Sequence, residues 1–371
     1  MRTTTILTTT LTTTLTTTRT DGSMPIDLAG FLSGVDSALE AVLTIDEGVL
    51  GSVDQAESAV GAIRDLVSRG GKRVRPSFVA FGWVANGGDA GSGLPVRLGA
   101  AVELLHVSAL LHDDVVDGSP TRRGAPTAHV RAATDHRDNG LVGDADSFGT
   151  GVAILAGDLA AALADQMLGD IPGETLYHWR RMKTEVAIGQ ILDHSGTARR
   201  DRSIESALEV VRLKTSQYTV VRPLLIGASA VAGAIDDDLR NSLTAFATAV
   251  GEAFQLRDDV LGTFGDAANT GKPVGTDLRE GKPTLLLALA HGRADDRQHS
   301  VLDRVGSGDL RDAEIAEIAG VLRATGALAE VEDRITQRTD DAIACLASAR
   351  VSVGVRDALA EFARSLVGRA S

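Results

Sequence analysis

The sequence predicts an all-α protein, and three observations carry that expectation. Apolar residues recur with helical spacing through long segments rich in Ala, Leu and Val. Few segments alternate apolar and polar residues with a period of two, so a β-sheet is not expected. Short breaks containing Gly, Asp or Pro separate the helical segments. In chain order, helices are expected over 27–48, 52–68, 74–86 and 94–117, with Gly70-Gly71 and Gly87-Gly88 among the breaks. Residues 131–149, rich in Asp, Gly and Asn with little apolar periodicity, read as a surface loop. Helices resume over 150–168, 174–195, 203–217, 219–232, 236–262, 283–291, 297–304, 311–346 (broken near Gly326) and 353–367. From about Asp309 onward, Glu, Asp and Arg lie on one helix face and Ala, Leu and Ile on the other, as in helices that cap a domain.

No composition break or fixed-period repeat divides residues 24–371, which are read as one domain. Before them, 13 of the first 20 residues are Thr. Thr runs are poor helix formers with little apolar surface to bury, so 1–23 is expected to be a disordered tail, with Met24 an alternative start. That stretch lacks the compact apolar core and small-residue cleavage site of a secretory signal.

The chain has 37 basic and 50 acidic side chains, a net charge of −13. Acidity argues against nucleic acid as the main partner, because phosphate neutralisation needs a basic footprint. The single Cys345 excludes an intrachain disulfide and any cysteine metal cage. No stretch of about 20 residues is both apolar and charge-free, so no stable membrane insertion is expected. A cytoplasmic protein is.

Two acidic motifs stand at the ends of apolar segments. In Leu111-His112-Asp113-Asp114-Val115-Val116-Asp117, Asp113 and Asp117 are four apart and share a helix face. Carboxylates this close repel unless a cation lies between them, and oxygen donors suit Mg²⁺. A solvated helix end would read the same way. His106 lies on roughly that face two turns earlier, whereas His112 is offset and reads as structural. The second motif, Asp258-Asp259-Val260-Leu261-Gly262, follows the apolar helix 243–256, and Asp266 comes soon after. Cations complete the pattern. Arg69-Gly70-Gly71-Lys72-Arg73-Val74-Arg75 packs four cations into seven residues. Arg122-Arg123, Lys214-Thr215, Lys272 and Lys282 stand in loop-like or helix-end settings. Acids for metal ions, cations for phosphate oxygens and long apolar helices between them describe a grip on a diphosphate beside an apolar cavity.

With Gly189-Gln190, Asp193, Phe254-Gln255-Leu256-Arg257 and Gly271-Lys272-Pro273 in the same order, the chain resembles the trans-isoprenyl diphosphate synthases of the polyprenyl synthetase family. The resemblance runs from about Val60 to Ala290. It implies an all-α, isoprenoid-synthase-type bundle around a deep central cavity, forming a homodimer. It implies head-to-tail condensation of isopentenyl diphosphate with an allylic diphosphate. Asp113, Asp117 and Asp258 would bind Mg²⁺, about three ions per site, with Asp114 and Asp259 supporting. Arg122 would hold the allylic diphosphate, reached also by Lys272 and Lys282. Lys72, Arg75, His106 and Arg123 would hold isopentenyl diphosphate. Lys214, Thr215 and Gln255 would line the place where the allylic cation forms. The sequence departs from the pattern at Gly262, where many relatives carry a third Asp. Water or Asp266 could fill that place.

By the same resemblance, bulky aromatic residues at positions 108 or 109 would stop the product at farnesyl length. Ser108 and Ala109 are small, which favours geranylgeranyl diphosphate, with farnesyl and longer products as alternatives. Leu105 lies another turn below. A terpene cyclase would lack the isopentenyl diphosphate grip and carry more aromatics than this chain's 3%. A non-catalytic subunit of a larger prenyl synthase would have lost motif residues, and here only Gly262 is out of pattern.

Overall fold

The computed structural model describes residues 26–44, 57–265 and 275–368. The chain forms two compact units, residues 1–175 with 226–234, and residues 176–225 with 235–371. Both are helical, as expected.

The first unit contains α1 (Leu28–Leu43), α2 (Glu57–Ser68), α3 (Val74–Ala85), α4 (Leu94–Val116), α5 (Ala128–Asp138) and α6 (Ala145–Leu168). Between α4 and α5, β1 (Thr121–Arg122) and β2 (Ala125–Pro126) pair antiparallel, with Arg122 opposite Ala125. Pro95 opens α4, where a missing N–H costs nothing. Helix α4 is apolar on nearly all sides because α1, α3 and α6 pack around it, and Leu98, Ala101 and Leu104 are fully buried.

The loop expected over 131–149 is in part the helix α5, whose buried face is only Ala132, Ala133 and His136. Helix α6 begins at Ala145, five residues earlier than the expected 150. Gly149 explains the packing. A Cβ there would stand 2.2 Å from the His129 carbonyl oxygen, so only glycine lets α5 lie this close to α6.

By length and composition alone α4 and α6 are each apolar enough to cross a membrane, although each carries charged residues and neither is a charge-free run. Helix α4 is a core helix, 67% of its most apolar stretch being buried, while the corresponding figure for α6 is 33%. Phe148, Ile154 and Leu155 on α6 are exposed.

The second unit contains most of α7 (Gly173–Arg199), α8 (Ile204–Val210), a π-helix (Val211–Val221), the start of α9 (Arg222–Ala230) and α10 (Asp237–Phe264). After these come α11 (Thr276–Glu280), α12 (Leu285–Arg293), α13 (Asp296–Leu302), α14 (Asp312–Ala324), α15 (Ala327–Ala347) and α16 (Val353–Val367). Helix α10 is the axis. Asp236 caps it by accepting from the Asp238 and Leu239 amides, and Asp237 and Asp238 complement its dipole. Arg257 ties it to α15 and α16, holding both Glu332 oxygens at 2.7 and 2.8 Å and the Val367 carbonyl at 3.0 Å. The expected break near Gly326 is present, with that residue at φ 75°.

The segments expected as separate helices over 203–217 and 219–232 are instead one run whose middle is the π-helix. Its wide turns bring backbone close to both neighbours, and each neighbour answers with glycine. A Cβ on Gly189 of α7 would stand 2.4 Å from the Lys214 nitrogen, and one on Gly251 of α10 would stand 2.5 Å from Ser216 Oγ.

Candidate active site

In the first unit, Asp113 and Asp114 end α4 and Asp117 is its C-cap. Acids at a helix C-terminus oppose its dipole. The ribbon brings Arg122 back over them. Its Nε donates to Asp114 Oδ1 at 2.5 Å and its Nη2 to Asp113 Oδ2 at 3.1 Å. Burial opposes the Arg122 charge, but Asp114 and then Asp113 outweigh it and raise its pKa. His112 points away to α6, 3.1 Å from the Ile154 carbonyl and 3.5 Å from Asp158, which agrees with a structural role.

The cation-rich loop divides its labour. Arg73 is buried and adopts the left-handed conformation, φ 45°. It donates to Glu103 at 2.6 Å, Asp36 at 2.9 Å and the Val67 carbonyl at 3.1 Å, so it ties the helices together. Lys72 stays exposed in the loop. Arg123, also left-handed at φ 52°, donates to the Gly70 and Leu66 carbonyls. Its Nη2 would lie only 3.1 Å from a Cβ on Gly71, so the glycine pair admits this guanidinium. Left-handed backbone costs an L-residue about 1–2 kcal/mol, which the hydrogen bonds of Arg73 and Arg123 offset in their two separate turns.

His106 faces the same cations. Burial first, then Arg75, Arg123, Arg122 and Arg73, push its pKa well below 6.5, so it is a neutral hydrogen-bonding group at pH 7. Burial lowers the pKa of Arg123, and Arg73, Arg122 and Arg69 lower it further against the pull of Glu103. Like charges gathered this way favour an anion among them. Of the residues expected here, Lys72, Arg75, His106, Arg122, Arg123, Asp113, Asp114 and Asp117 all fall in this unit.

In the second unit, Asp258 and Asp259 lie in the last turns of α10. Thr215 Oγ1 donates to Gln255 Oε1, and Gln255 Nε2 donates to Asp259 Oδ1 at 2.6 Å. Lys214 donates to Asp193 at 2.5 Å. Asp259 is buried. That burial first, and then Asp277, Asp258 and Asp193, raise its pKa well above 3.8 against the Gln255 hydrogen bond. Lys282 lies 2.9 Å from Glu280 and 4.0 Å from Asp277. Lys272 and Asp266 lie outside the described residues. Among the described residues, no three acidic, imidazole or thiol groups form a metal cage. The donors are hard carboxylate oxygens with cations nearby, a set that fits Mg²⁺ held by one or two carboxylates plus phosphate oxygens.

Sequence reasoning missed Asp277. It stands on another helix, and only the fold brings it to Asp259.

Comparison with known proteins agrees. The Polyprenyl synthetase family model matches residues 57–322. The geranylgeranyl pyrophosphate synthase of Corynebacterium glutamicum, solved with isoprenyl diphosphate and magnesium, superposes with a TM-score of 0.87 at 40% identity, covering 93% of this chain and 100% of that one. The short chain isoprenyl diphosphate synthase of Methanocaldococcus jannaschii is 33% identical over 285 residues, 75% of this chain and 80% of that protein. The geranyl-diphosphate-specific all-trans-nonaprenyl-diphosphate synthase of Rhodobacter capsulatus is 31% identical over 304 residues, 81% and 86% of the two chains. On the family match and these likenesses, the chain belongs to the polyprenyl synthetase family of prenyltransferases.

Proposed function

We propose that this prenyl diphosphate synthase condenses isopentenyl diphosphate head-to-tail with an allylic diphosphate to give geranylgeranyl diphosphate. The carrying observation is two carboxylate pairs at helix ends, Asp113 and Asp114 under Arg122, and Asp258 and Asp259 beside the neutral Thr215–Gln255 relay. Bound Mg²⁺, about three ions, would draw charge onto the allylic diphosphate as its C–O bond breaks. Asp113, Asp117 and Asp258 hold the metal side, with Asp114 and Asp259 supporting. Arg122, Lys272 and Lys282 hold the allylic diphosphate. Lys72, Arg75, Arg123 and neutral His106 hold isopentenyl diphosphate, whose own diphosphate must stay intact. Dipoles at Lys214, Thr215 and Gln255 offset the allylic cation, and apolar helices exclude water. The released diphosphate takes the proton that leaves as the new double bond closes.

Product length is read from α4. Below Asp113, Ser108 is buried and Ala109 keeps partial exposure, so small side chains leave room beneath the carboxylates. That supports a product longer than farnesyl. The exposed apolar face of α6 supports a homodimer. A cytoplasmic site suits the lone Cys345, which has no disulfide partner.

The test is incubation of the protein with Mg²⁺, isopentenyl diphosphate and, separately, dimethylallyl, geranyl and farnesyl diphosphates, with products dephosphorylated and sized. Geranylgeraniol that disappears in Asp113→Ala is the expected result. Farnesol as the end product would overturn the length assignment, and no condensation with any primer would overturn the reaction.

A further inference from the structure

We infer that Arg222 is a positioning residue: gripped by Glu185 and His178, it sets the register of the π-helix that carries Lys214 and Thr215. The inference rests on the prenyl diphosphate synthase reading and concerns a residue outside the groups assigned there to substrate and metal.

Arg222 closes the π-helix with its backbone and fastens it with its side chain. Its amide donates to the Gln217 carbonyl, five residues back, which completes the last wide turn. Its guanidinium then reaches α7. Nε donates to Glu185 Oε2 at 2.7 Å and Nη2 to Glu185 Oε1 at 2.8 Å, a bidentate fork. Nη1 lies 3.1 Å from His178 Nδ1, which accepts, because a guanidinium only donates. Glu185 and His178 are both buried. Arg181, one turn before Glu185, donates to the same carboxylate at 2.8 Å. A planar fork of this kind fixes direction as well as distance, which an apolar contact does not.

The same face of α7 meets the π-helix at two further points. Glu185, Gly189 and Asp193 follow one another at four-residue steps. Glu185 holds Arg222, Gly189 admits the Lys214 backbone, and Asp193 accepts from Lys214 Nζ at 2.5 Å. Lys214 and Arg222 are eight residues apart, as are Glu185 and Asp193, so the π-helix is pinned at both ends against an antiparallel neighbour. Wide turns need such pins, because runs of them are rare and the α form competes. Pro223, next in the chain, has no N–H, and in a regular helix its ring crowds the carbonyl four residues back, so wide turns suit the approach to it. A return to α turns would rotate Lys214 and Thr215 relative to Arg222 and break the Thr215–Gln255 hydrogen bond.

The test separates register from stability. Arg222→Met, Arg222→Lys and the apolar exchange Glu185→Leu/Arg222→Met are compared with wild type in heat stability, in amide hydrogen exchange, and in condensation of isopentenyl diphosphate with geranyl diphosphate and Mg²⁺. Arg222→Met strands the buried Glu185, whereas the apolar exchange removes both charges and should regain most of the lost stability. Arg181 is half-exposed and can turn to water. The exchange should not regain turnover. Its kcat should stay about tenfold or more below wild type, since a misplacement of about 1 Å can cost about 100-fold. Its KM for isopentenyl diphosphate should be unchanged, because Lys72, Arg75, His106 and Arg123 lie in the other unit. Amides 214–221 should exchange faster, with those of α10 as in wild type. Arg222→Lys, the mildest change, keeps the charge without the fork and should show the same split in smaller measure. An apolar exchange that regains kcat along with stability, or Arg222→Lys with wild-type kcat and wild-type hydrogen exchange, would overturn the inference alone. A wild-type chain that condenses nothing would overturn it together with the reaction beneath it.

Discussion

Arg122 Nε donates to Asp114 Oδ1 at 2.5 Å, and the carboxylate is 2% exposed. One chain cation thus already offsets part of the charge at the acidic helix end. This contact fixes the ribbon on α4 and aims the rest of the guanidinium at Asp113.

Removing the acid should therefore cost stability before it costs chemistry. Asp114→Ala leaves a mostly buried guanidinium without its main partner, a loss of about 3–5 kcal/mol. A urea titration should show a lower midpoint. Arg122→Lys should restore little, because an ammonium cannot span both carboxylates as the planar fork does.

Arg73 and Glu103 form a second buried pair at 2.6 Å. Glu103→Ala should cost about 3–5 kcal/mol by stranding Arg73, while Arg73→Met with Glu103→Leu should recover most of it. Chemical denaturation of the two variants checks the difference. A double variant no more stable than Glu103→Ala would mean that Asp36 and the Val67 carbonyl carry the site instead.

These contacts show where sequence reading reaches and where it stops. The long helices were legible because each has a wide apolar face with helical spacing, and the Gly326 break because glycine readily takes positive φ. Helix α5 was not legible, since its buried face is two alanines and a histidine, and its packing depends on the bare backbone of Gly149. The π-helix leaves no periodic trace. Its sign is the pair of glycines, Gly189 and Gly251, on the helices that flank it. Among the cations, spacing could not separate buried Arg73 from exposed Lys72, because burial depends on where Glu103 lies. Asp277 was hidden for the same reason.

His106 gives the protein a pH dependence of definite sign. Its folded pKa is depressed by burial and then by Arg75, Arg123, Arg122 and Arg73, whereas the unfolded chain titrates near 6.5. Stability from this group is present above about pH 6.5 and is lost as pH falls, by at most about 1.4 kcal/mol per unit, until the folded ring is protonated. Urea midpoints measured from pH 7 to pH 5 should fall more steeply for wild type than for His106→Gln. Inorganic diphosphate should flatten the wild-type slope by offsetting the arginine charges.

Below Asp113, Ala109 is the position where added bulk should shorten the product. Ala109→Phe places an aromatic ring one turn under the carboxylate, where partial exposure shows that Ala109 is not fully packed. The dominant product should shorten to farnesyl length, with the rate of the first condensation little changed. Ala109→Val, smaller by an aromatic ring, should give a mixture. An unchanged product from Ala109→Phe would place the length limit elsewhere.

Helix α6 carries the remaining prediction. Leu155 is 65% exposed and Phe148, seven residues earlier on the same face, is 40% exposed, an apolar stripe on a helix that is itself long and apolar. If two copies meet there, Leu155→Glu buries a charge without a partner and should weaken the dimer by about tenfold or more. Sedimentation velocity across a dilution series should then show a dimer for wild type and a monomer for the variant at the same concentration. Far-ultraviolet circular dichroism should be identical, because Leu155 takes little part in the core of its own chain. A variant that sediments as wild type would place the subunit contact on another face.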